Sequence, residues 1–271
     1  MTDKYKSLEL RKNENSTGNK RNRLNDFKTA EDILENSSIE QFSTGSSSLD
    51  DILGGGIQTE SITQFYGSPG SGKSQICLTT CALLPEKYSS IYIDTEGKFR
   101  PERLKQIEEE RGLESNDVLK NIQIAKTDNG QKMERAIDQI VTFFNSDKLI
   151  KLLIVDSLIN HLRVEYQGRS QLPARQQKLN LLMSKLCKIA IEKKIAVVIT
   201  NHVQTDPSYF SSFNNDVPVG GNIINFASTH IIRLKRMHTK TCAFLVKSSY
   251  LPYNESHFII NEKGIDDDEC E

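Results

Sequence analysis

The stretch Gly67-Ser68-Pro69-Gly70-Ser71-Gly72-Lys73-Ser74 decides the fold of this chain. Its spacing is that of a phosphate-binding loop, and it lies between an apolar, strand-like run and an amphipathic segment. The glycines let backbone N–H groups and the helix N-terminus surround phosphate oxygens. Lys73 then reaches the β and γ oxygens, and the Ser74 hydroxyl is a ligand for Mg²⁺. The sequence therefore predicts a P-loop that binds a nucleoside triphosphate.

Outward from this loop, short runs rich in β-branched residues alternate with longer amphipathic segments. Such alternation is typical of an α/β fold with a largely parallel sheet. Strands are predicted at residues 61–66, 90–94, 122–126, 152–156, 196–201, 230–234, 243–247 and 258–261. Helices are predicted at residues 74–84, 101–111, 131–144 and 175–193. The last three strands are closely spaced, so we expect them to be antiparallel. The predicted fold is a P-loop NTPase whose mostly parallel, twisted sheet is flanked by helices.

Two carboxylates follow predicted strands at the edge where ligands bind in such sheets. Asp156 ends the apolar run 152–155 and is the candidate to hold the magnesium shell beside Ser74. Glu96 follows another strand and is the candidate to orient the attacking water. A strand-terminal Asp is also common as a turn or helix cap, and Glu96 has an alternative interpretation as a solvated loop acid.

Composition limits the class of protein. The 271 residues are 37% apolar and 26% charged, with a net charge of −1, and no apolar run approaches the ~18 residues that span a bilayer. Five irregularly spaced cysteines and the lack of a secretory signal favour a reduced protein of the cytoplasm, or of the nucleus if the source is eukaryotic. Cys77 and Cys81 lack further metal ligands at suitable spacing, so we interpret them as core residues.

A series of motifs in order along the chain resembles the RecA-type recombinases of the archaeal and eukaryotic RadA branch. It comprises Phe42-Ser-Thr-Gly-Ser-Ser-Ser-Leu-Asp50, Leu53-Gly-Gly-Gly-Ile57, the P-loop with Gln75, Tyr92-Ile-Asp-Thr-Glu-Gly-Lys-Phe-Arg-Pro-Glu-Arg-Leu104, Leu153-Ile-Val-Asp-Ser157, Tyr166-Gln-Gly-Arg169, Ala174-Arg-Gln176, Val198-Ile-Thr-Asn201 and Gly220-Gly-Asn-Ile-Ile224. Members of this family assemble on single-stranded DNA as ATP-bound filaments and exchange strands with duplex DNA.

The resemblance implies a role for individual residues. Lys73 and Glu96 would be catalytic, and Ser74 and Asp156 would hold Mg²⁺. ATP would contact Gly67, Ser68, Pro69, Gly70, Ser71, Gly72, Lys73, Ser74, Gln75 and, from a neighbouring protomer, Lys247. DNA would contact Arg163, Tyr166, Arg169 and Arg175 in a first loop and Tyr209 and Phe213 in a second. Phe27 and Ala30 would dock on the next protomer. The aromatics of the second loop have an alternative interpretation as packing on their own surface, and Phe27 as a staple at a helix start.

The chain also departs from the family pattern. We expect no N-terminal helical domain before Phe27, because only the charged residues 1–25 precede it in this sequence. His202 stands where the family usually has Gln, and Phe226 where it has His. Lys247 replaces an Asp of the cap over the neighbour's ATP, so we expect its ammonium to reach the γ-phosphate in trans. The alternative is a strand-end lysine exposed to solvent. These changes are typical of a divergent member or a paralogue.

The predicted organisation is a disordered charged tail (1–25), an oligomerisation linker (26–41), a RecA-like ATPase core (42–265) and an acidic tail (266–271). The expected function is that of an ATP-dependent recombinase of homologous recombination and repair. It would act on single- and double-stranded DNA as a homo-oligomer, or in a hetero-assembly with a full-length recombinase, and not at a membrane. Two alternatives stay open: a paralogue that serves as mediator or filament partner, and a P-loop signalling ATPase that binds no DNA.

Overall fold

The computed structural model describes residues 27–113, 118–144, 149–205 and 216–268. The chain divides into two units, Met1–Ser38 and Ile39–Glu271. In the first unit the described residues form one short helix, α1 (Ala30–Glu35), which begins at the N-cap Thr29 with a reciprocal capping box to Asp32. No residue of α1 is buried, and Phe27 is 89% exposed. The predicted disordered tail lies outside the described residues.

The second unit contains the β-strands of the described chain. They are β1 (Gln41–Phe42), β2 (Ile57–Gln58), β3 (Ser61–Gly67), β4 (Tyr88–Asp94), β5 (Ile122–Lys126), β6 (Leu149–Asp156), β7 (Ala196–Asn201), β8 (Val203–Thr205), β9 (Asp216–Pro218), β10 (His230–Met237), β11 (Lys240–Ser248), β12 (Glu255–Asn261) and β13 (Gly264–Asp267). Strands β1–β2 and β8–β9 form two small antiparallel pairs apart from the main sheet.

The helices of this unit cover the main sheet. They are α2 (Ser47–Ile52), α3 (Lys73–Ala82), α4 (Pro101–Glu110), α5 (Gly130–Phe143), α6 (Asn160–Glu165), α7 (Leu172–Lys193) and α8 (Asn222–Ala227). Each of the four predicted helices is present within about three residues of its expected ends. Among the described helices, none combines the length and the apolar character that crossing a membrane requires.

The main sheet has nine strands in the order β13-β12-β11-β10-β3-β7-β6-β4-β5. The six strands from β10 to β5 are parallel, and β11, β12 and β13 continue the sheet as antiparallel neighbours. This arrangement confirms the predicted α/β fold with antiparallel C-terminal strands. Because parallel strands end at a common edge, β3, β4 and β6 bring Gly67, Asp94 and Asp156 to the same side of the sheet.

Two apolar clusters lie on opposite faces of the sheet, since side chains alternate along each strand. On β3, Phe65 belongs to the cluster that includes Ile76 of α3, and Ile62 belongs to the cluster that includes Leu182 of α7. Cys77 and Cys81 are buried thiols in the first cluster, and burial raises the pKa of Cys81 to about 12. Both cysteines are thus core residues.

The predicted boundary of the acidic tail is wrong. Asp266 and Asp267 belong to strand β13, which pairs with β12, and Asp268 forms an ion pair with Lys240 at 2.6 Å. The strand contains only one large apolar residue, Ile265, so hydrophobic pattern alone does not indicate it. Its acidic side chains accept hydrogen bonds from hydroxyl and N–H donors of the same unit. The compact unit itself begins at Ile39, three residues before the predicted core.

Candidate nucleotide-binding site

The P-loop connects β3 to α3 at the carboxyl edge of the sheet. Gly72 is the N-cap of α3 with φ +95°, a conformation that favours glycine, and no side chain caps the first turn. Lys73 is only 8% exposed, and its ammonium donates to the backbone carbonyls of Gly67 (2.9 Å) and Ser68 (3.0 Å). Burial lowers the pKa of Lys73, and the negative charges of Asp156 and Glu96 oppose that shift. The loop thus presents N–H donors and a largely desolvated cation together.

Asp156, at the end of β6, lies beside the P-loop as predicted. Its carboxylate accepts hydrogen bonds from the hydroxyls of Ser74 (2.7 Å), Tyr92 (2.7 Å) and Thr200. One hydroxyl and one carboxylate side by side are the hard oxygen donors that Mg²⁺ prefers, and Mg²⁺ usually keeps only one or two carboxylates besides water and phosphate oxygens. Ser74 and Asp156 therefore fit a magnesium ion.

Glu96 follows β4 and is held from two sides. His202 Nε2 lies 2.7 Å from Oε1, and the Lys98 ammonium donates to Oε2 at 2.5 Å. The hydrogen bond from His202 lowers the pKa of Glu96 most; burial raises it, and the contact with Lys98 lowers it further, to about 2. The side chain is 14% exposed, so the alternative of a freely solvated loop acid does not fit.

A cavity of about 650 Å³ joins these groups. Its walls include Lys73, Ser74, Glu96, Asp156 and His202. The remaining lining residues include several that the sequence did not single out as site residues: Arg103, Gln106, Arg236, Ile260, Asn261 and Glu262. Arg103 lies at the end of the motif 92–104, and its guanidinium donates to Gln75 Oε1 at 2.9 Å and to the Glu262 carbonyl at 3.1 Å.

The comparisons with known proteins agree with this geometry. The sequence model of the Rad51 family matches residues 35–268. The chain belongs to the Rad51 family. It is also 40% identical over 253 residues to a protein named DNA repair and recombination protein RadA from Aeropyrum pernix, an alignment that covers 90% of this chain and 79% of that protein. The predicted resemblance to RecA-type recombinases of the RadA branch is confirmed.

Lys247 lies on β11 and does not line the nucleotide cavity of its own chain. Its ammonium donates to the carbonyls of Asn225 and Ser228 (2.9 Å) at the end of α8, and burial lowers its pKa. Because the ammonium makes these bonds, the alternative of a lysine freely exposed to solvent does not fit. Within one chain Lys247 stabilises the carbonyl end of α8; contact with a neighbour's nucleotide stays a prediction. Phe226, on the same helix, is 81% exposed.

The first predicted DNA loop of this Rad51-family chain spans α6 and the start of α7. Arg163 and Arg169 are exposed, whereas Arg175 is half-buried. Tyr166 packs against the apolar cluster of α7, so its ring is less available for stacking than the sequence suggested. Arg163 also lines a second cavity of about 410 Å³ with Pro69 of the P-loop and His202. Tyr209 and Phe213 lie outside the described residues.

Proposed function

We propose that this Rad51-family chain is an ATP-dependent recombinase of DNA repair that binds Mg-ATP and acts on single-stranded DNA as a multimer. The observation that carries the proposal is the convergence of Lys73, Ser74, Asp156 and Glu96 on one cavity at the carboxyl edge of the sheet. The name of the Aeropyrum pernix relative, a DNA repair and recombination protein, supports the assignment to DNA.

The chemistry follows from the positions of these groups. The N–H groups at the start of α3 and the Lys73 ammonium would hold the triphosphate, and Ser74 and Asp156 would hold Mg²⁺. A bound Mg²⁺ would neutralise charge that develops on the phosphate oxygens. The Glu96 carboxylate would orient water through the lone pairs that His202 and Lys98 leave unused.

His202 would connect this carboxylate to DNA. It immediately precedes β8, and its carbonyl accepts from the N–H of Val219 at 3.0 Å, so both ends of the predicted second DNA loop meet at this residue. Movement of that loop on binding DNA would therefore move the partner of Glu96. DNA-dependent ATP hydrolysis is the consequence that we propose.

Contacts with DNA would come first from exposed arginines. Arg163 and Arg169 are exposed, Arg163 lines a cavity with Pro69 of the P-loop, and Arg175 lies in the first turn of α7. Guanidinium groups bind phosphates without reading base sequence, and Tyr209 and Phe213 would add stacking. Assembly would use Phe27 and Ala30, because the Phe27 ring is almost fully exposed and docking on another copy would bury it.

The deciding experiment separates nucleotide binding from turnover. Lys73→Ala should lose ATP binding, whereas Glu96→Gln should bind Mg-ATP and hydrolyse it very slowly, with and without single-stranded DNA. Turnover by Glu96→Gln at the wild-type rate would remove Glu96 from the mechanism.

A second experiment tests the contact with DNA. Arg169→Ala should weaken binding to single strands of any sequence and reduce the slope of affinity against salt concentration, on logarithmic axes, by roughly 0.7. An unchanged affinity and slope would remove Arg169 from the DNA contacts, whereas wild-type protein that binds no single strands would favour the signalling ATPase.

A second function, that of a mediator paralogue, is favoured by one observation: both oxygens of Glu96 are engaged by side chains of the chain itself. Strand exchange by the purified protein alone, and beside a full-length recombinase, distinguishes the two functions. A mediator stimulates its partner and exchanges no strands by itself.

For either function, Phe27→Glu should prevent multimer formation in the presence of ATP, because an apolar pocket disfavours a carboxylate. Light scattering measures the mass of the multimer.

Lys247 would act between protomers of the multimer. Its ammonium would leave the end of α8 and reach the γ-phosphate of the adjacent chain, where a fixed cation replaces an ion from solution. Assembly and turnover should then be similar in potassium and in sodium, and Lys247→Asp should make them depend on potassium. Wild-type protein that requires potassium as strongly as Lys247→Asp would contradict this role.

A further inference from the structure

Strand β10 extends past the P-loop instead of ending with it. Its parallel register with β3 pairs Leu234 with Gly67, the first residue of the loop, and β10 continues to Met237. The extension is held by the antiparallel partner β11, with Arg236 opposite Thr241. The segment beside the loop is therefore a paired strand, which fixes the direction of its side chains.

Alternation along β10 directs Arg236 toward the P-loop. Ile232 and Leu234 belong to the apolar cluster on the α3 face, so Arg236 lies on that face and Lys235 on the other. The side chain agrees with this register: Nη1 of Arg236 donates to the carbonyl of Gly70 at 3.2 Å, and Arg236 lines the nucleotide cavity.

In the described part of the chain, no neighbouring acid neutralises the charge of Arg236. Within residues 27–113, 118–144, 149–205 and 216–268, no carboxylate lies within 4.0 Å of this guanidinium. A guanidinium has five N–H donors, and the carbonyl of Gly70 uses one of them. Lys73 and Arg103, two other cations of the cavity, already donate to backbone carbonyls of the chain. Arg236 thus adds a cation with unused donors at the tip of the P-loop.

We propose that Arg236 is a phosphate-positioning residue that binds the terminal phosphates of a nucleotide held by the P-loop of the same chain. The inference rests on the proposed ATP site and adds to it a residue outside the phosphate-binding motif. Planar, multidentate donors suit phosphate oxygens, so Arg236 would favour nucleotides with more phosphates. It would also tie the β10–β11 hairpin to the presence of nucleotide.

The test compares nucleotides that differ only in phosphate number. Calorimetry with Mg²⁺ would give the affinities of ATP, ADP and AMP for the wild type, Arg236→Ala, Arg236→Lys and the adjacent control Lys235→Ala. We expect Arg236→Ala to weaken ATP about tenfold, ADP less and AMP not at all, about 1.4 kcal/mol for ATP. Arg236→Lys should restore part of the loss, and Lys235→Ala should bind like the wild type.

The outcomes separate this inference from the function on which it rests. Wild-type protein that binds no ATP would contradict the proposed ATPase. Wild-type binding with an unchanged ATP affinity in Arg236→Ala would overturn the inference alone. An equal loss of affinity for ATP, ADP and AMP would overturn it too, because a general structural defect weakens all three nucleotides regardless of the number of phosphates. A loss of single-stranded DNA affinity with normal ATP affinity would assign Arg236 to DNA and overturn it as well.

Discussion

The N-termini of α2 and α3 resemble each other in sequence and differ in what binds their N–H groups. Both follow loops rich in serine and glycine. At α2 the carboxylate of Asp267 accepts from the N–H groups of Ser47 (3.0 Å) and Ser48 (3.1 Å), and Ser46 caps the helix. At α3 the N-cap is Gly72, no side chain caps the helix, and the first turn faces the cavity.

The comparison shows how one type of donor serves two purposes. A helix N-terminus favours an anion in either case. At α2 the chain supplies the anion from β13, and the result is a link between distant segments. At α3 the N-cap is a glycine, so no capping side chain competes for the N–H groups, and these donors are left open to the cavity. The N-terminus of α2 is thus closed by a carboxylate of the chain itself, whereas that of α3 is left open to the cavity.

The largest expected effect comes from giving the P-loop an acid of its own. A Cβ at Gly70 meets no atom within 4 Å, so Gly70→Asp has space for its β-carbon, and Gly70→Asn is its uncharged match with the same backbone strain. Asp and Asn both tolerate the positive φ of this position. The added charge should weaken ATP about a hundredfold relative to Gly70→Asn, roughly 3 kcal/mol of repulsion. Equal affinities for the two variants would show that charge at the loop tip is unimportant.

The second effect is on stability. Asp267→Ala removes an acceptor used by two backbone N–H groups and by the Ser46 and Ser47 hydroxyls, both at 2.6 Å. We expect a loss of roughly 2–3 kcal/mol in the free energy of unfolding, with unchanged ATP affinity. Urea unfolding measures it. The control, Asp266→Ala, removes a side-chain bond from Asn261 and should cost less. A loss of ATP-binding free energy as large as the loss of unfolding free energy would contradict the view that the N-terminus of α2 stabilises the fold without affecting the nucleotide site.

Acid should act on the α2 link in a defined direction. Burial raises the pKa of Asp267, but bonds from Ser46, Ser47 and Ser48 outweigh it and hold the pKa well below 3.8. Because the folded pKa is lowered, this stabilisation is present above pH 3.8 and is lost as pH falls toward the folded pKa. Asp267→Asn should flatten the fall in stability below pH 4, as unfolding at stepped pH measures. An identical acid profile in the variant would show that Asp267 is not responsible.

The smallest effect concerns Glu96, the acid that borders the P-loop cavity. His202 lowers its pKa most, so His202→Ala should raise the pKa of Glu96 from about 2 toward 4.5. Lys98→Ala is the matched variant and should produce a smaller rise. Carboxyl chemical shifts of isotope-labelled glutamate across a pH titration give both values. A larger rise in Lys98→Ala would reverse the assignment of the two partners.

Local patterns predicted the α3 end of this comparison and missed the α2 end. The P-loop is a contiguous motif between a strand and a helix, so its role follows from spacing, and Asp156 follows from its place after an apolar run. The bond between Ser46 and Asp267 joins residues 221 positions apart, and no sequence period indicates it. The contact of His202 with Glu96 is likewise long-range: the sequence marked His202 as unusual without naming its partner.

The fold shows the same division. Strands with continuous apolar runs, such as β6 and β7, were predicted because burial on both faces requires such residues. Strand β13 was missed because it is stabilised by its acidic side chains, and the extension of β10 to Met237 because Lys235 and Arg236 interrupt the apolar pattern. Polar strands are stabilised by hydrogen-bond partners that are distant in sequence, so a local pattern does not indicate them.

The bonds from β13 also set a condition on synthesis of the chain. Ile265 donates its N–H to the Thr79 hydroxyl of the P-loop helix at 3.0 Å, and Asp267 holds the start of α2. These contacts form only after β13 has left the ribosome. Until then α2 lacks its carboxylate and α3 lacks one of its anchors. The nascent chain should thus acquire its full resistance to protease in one late step, when residues near 267 emerge.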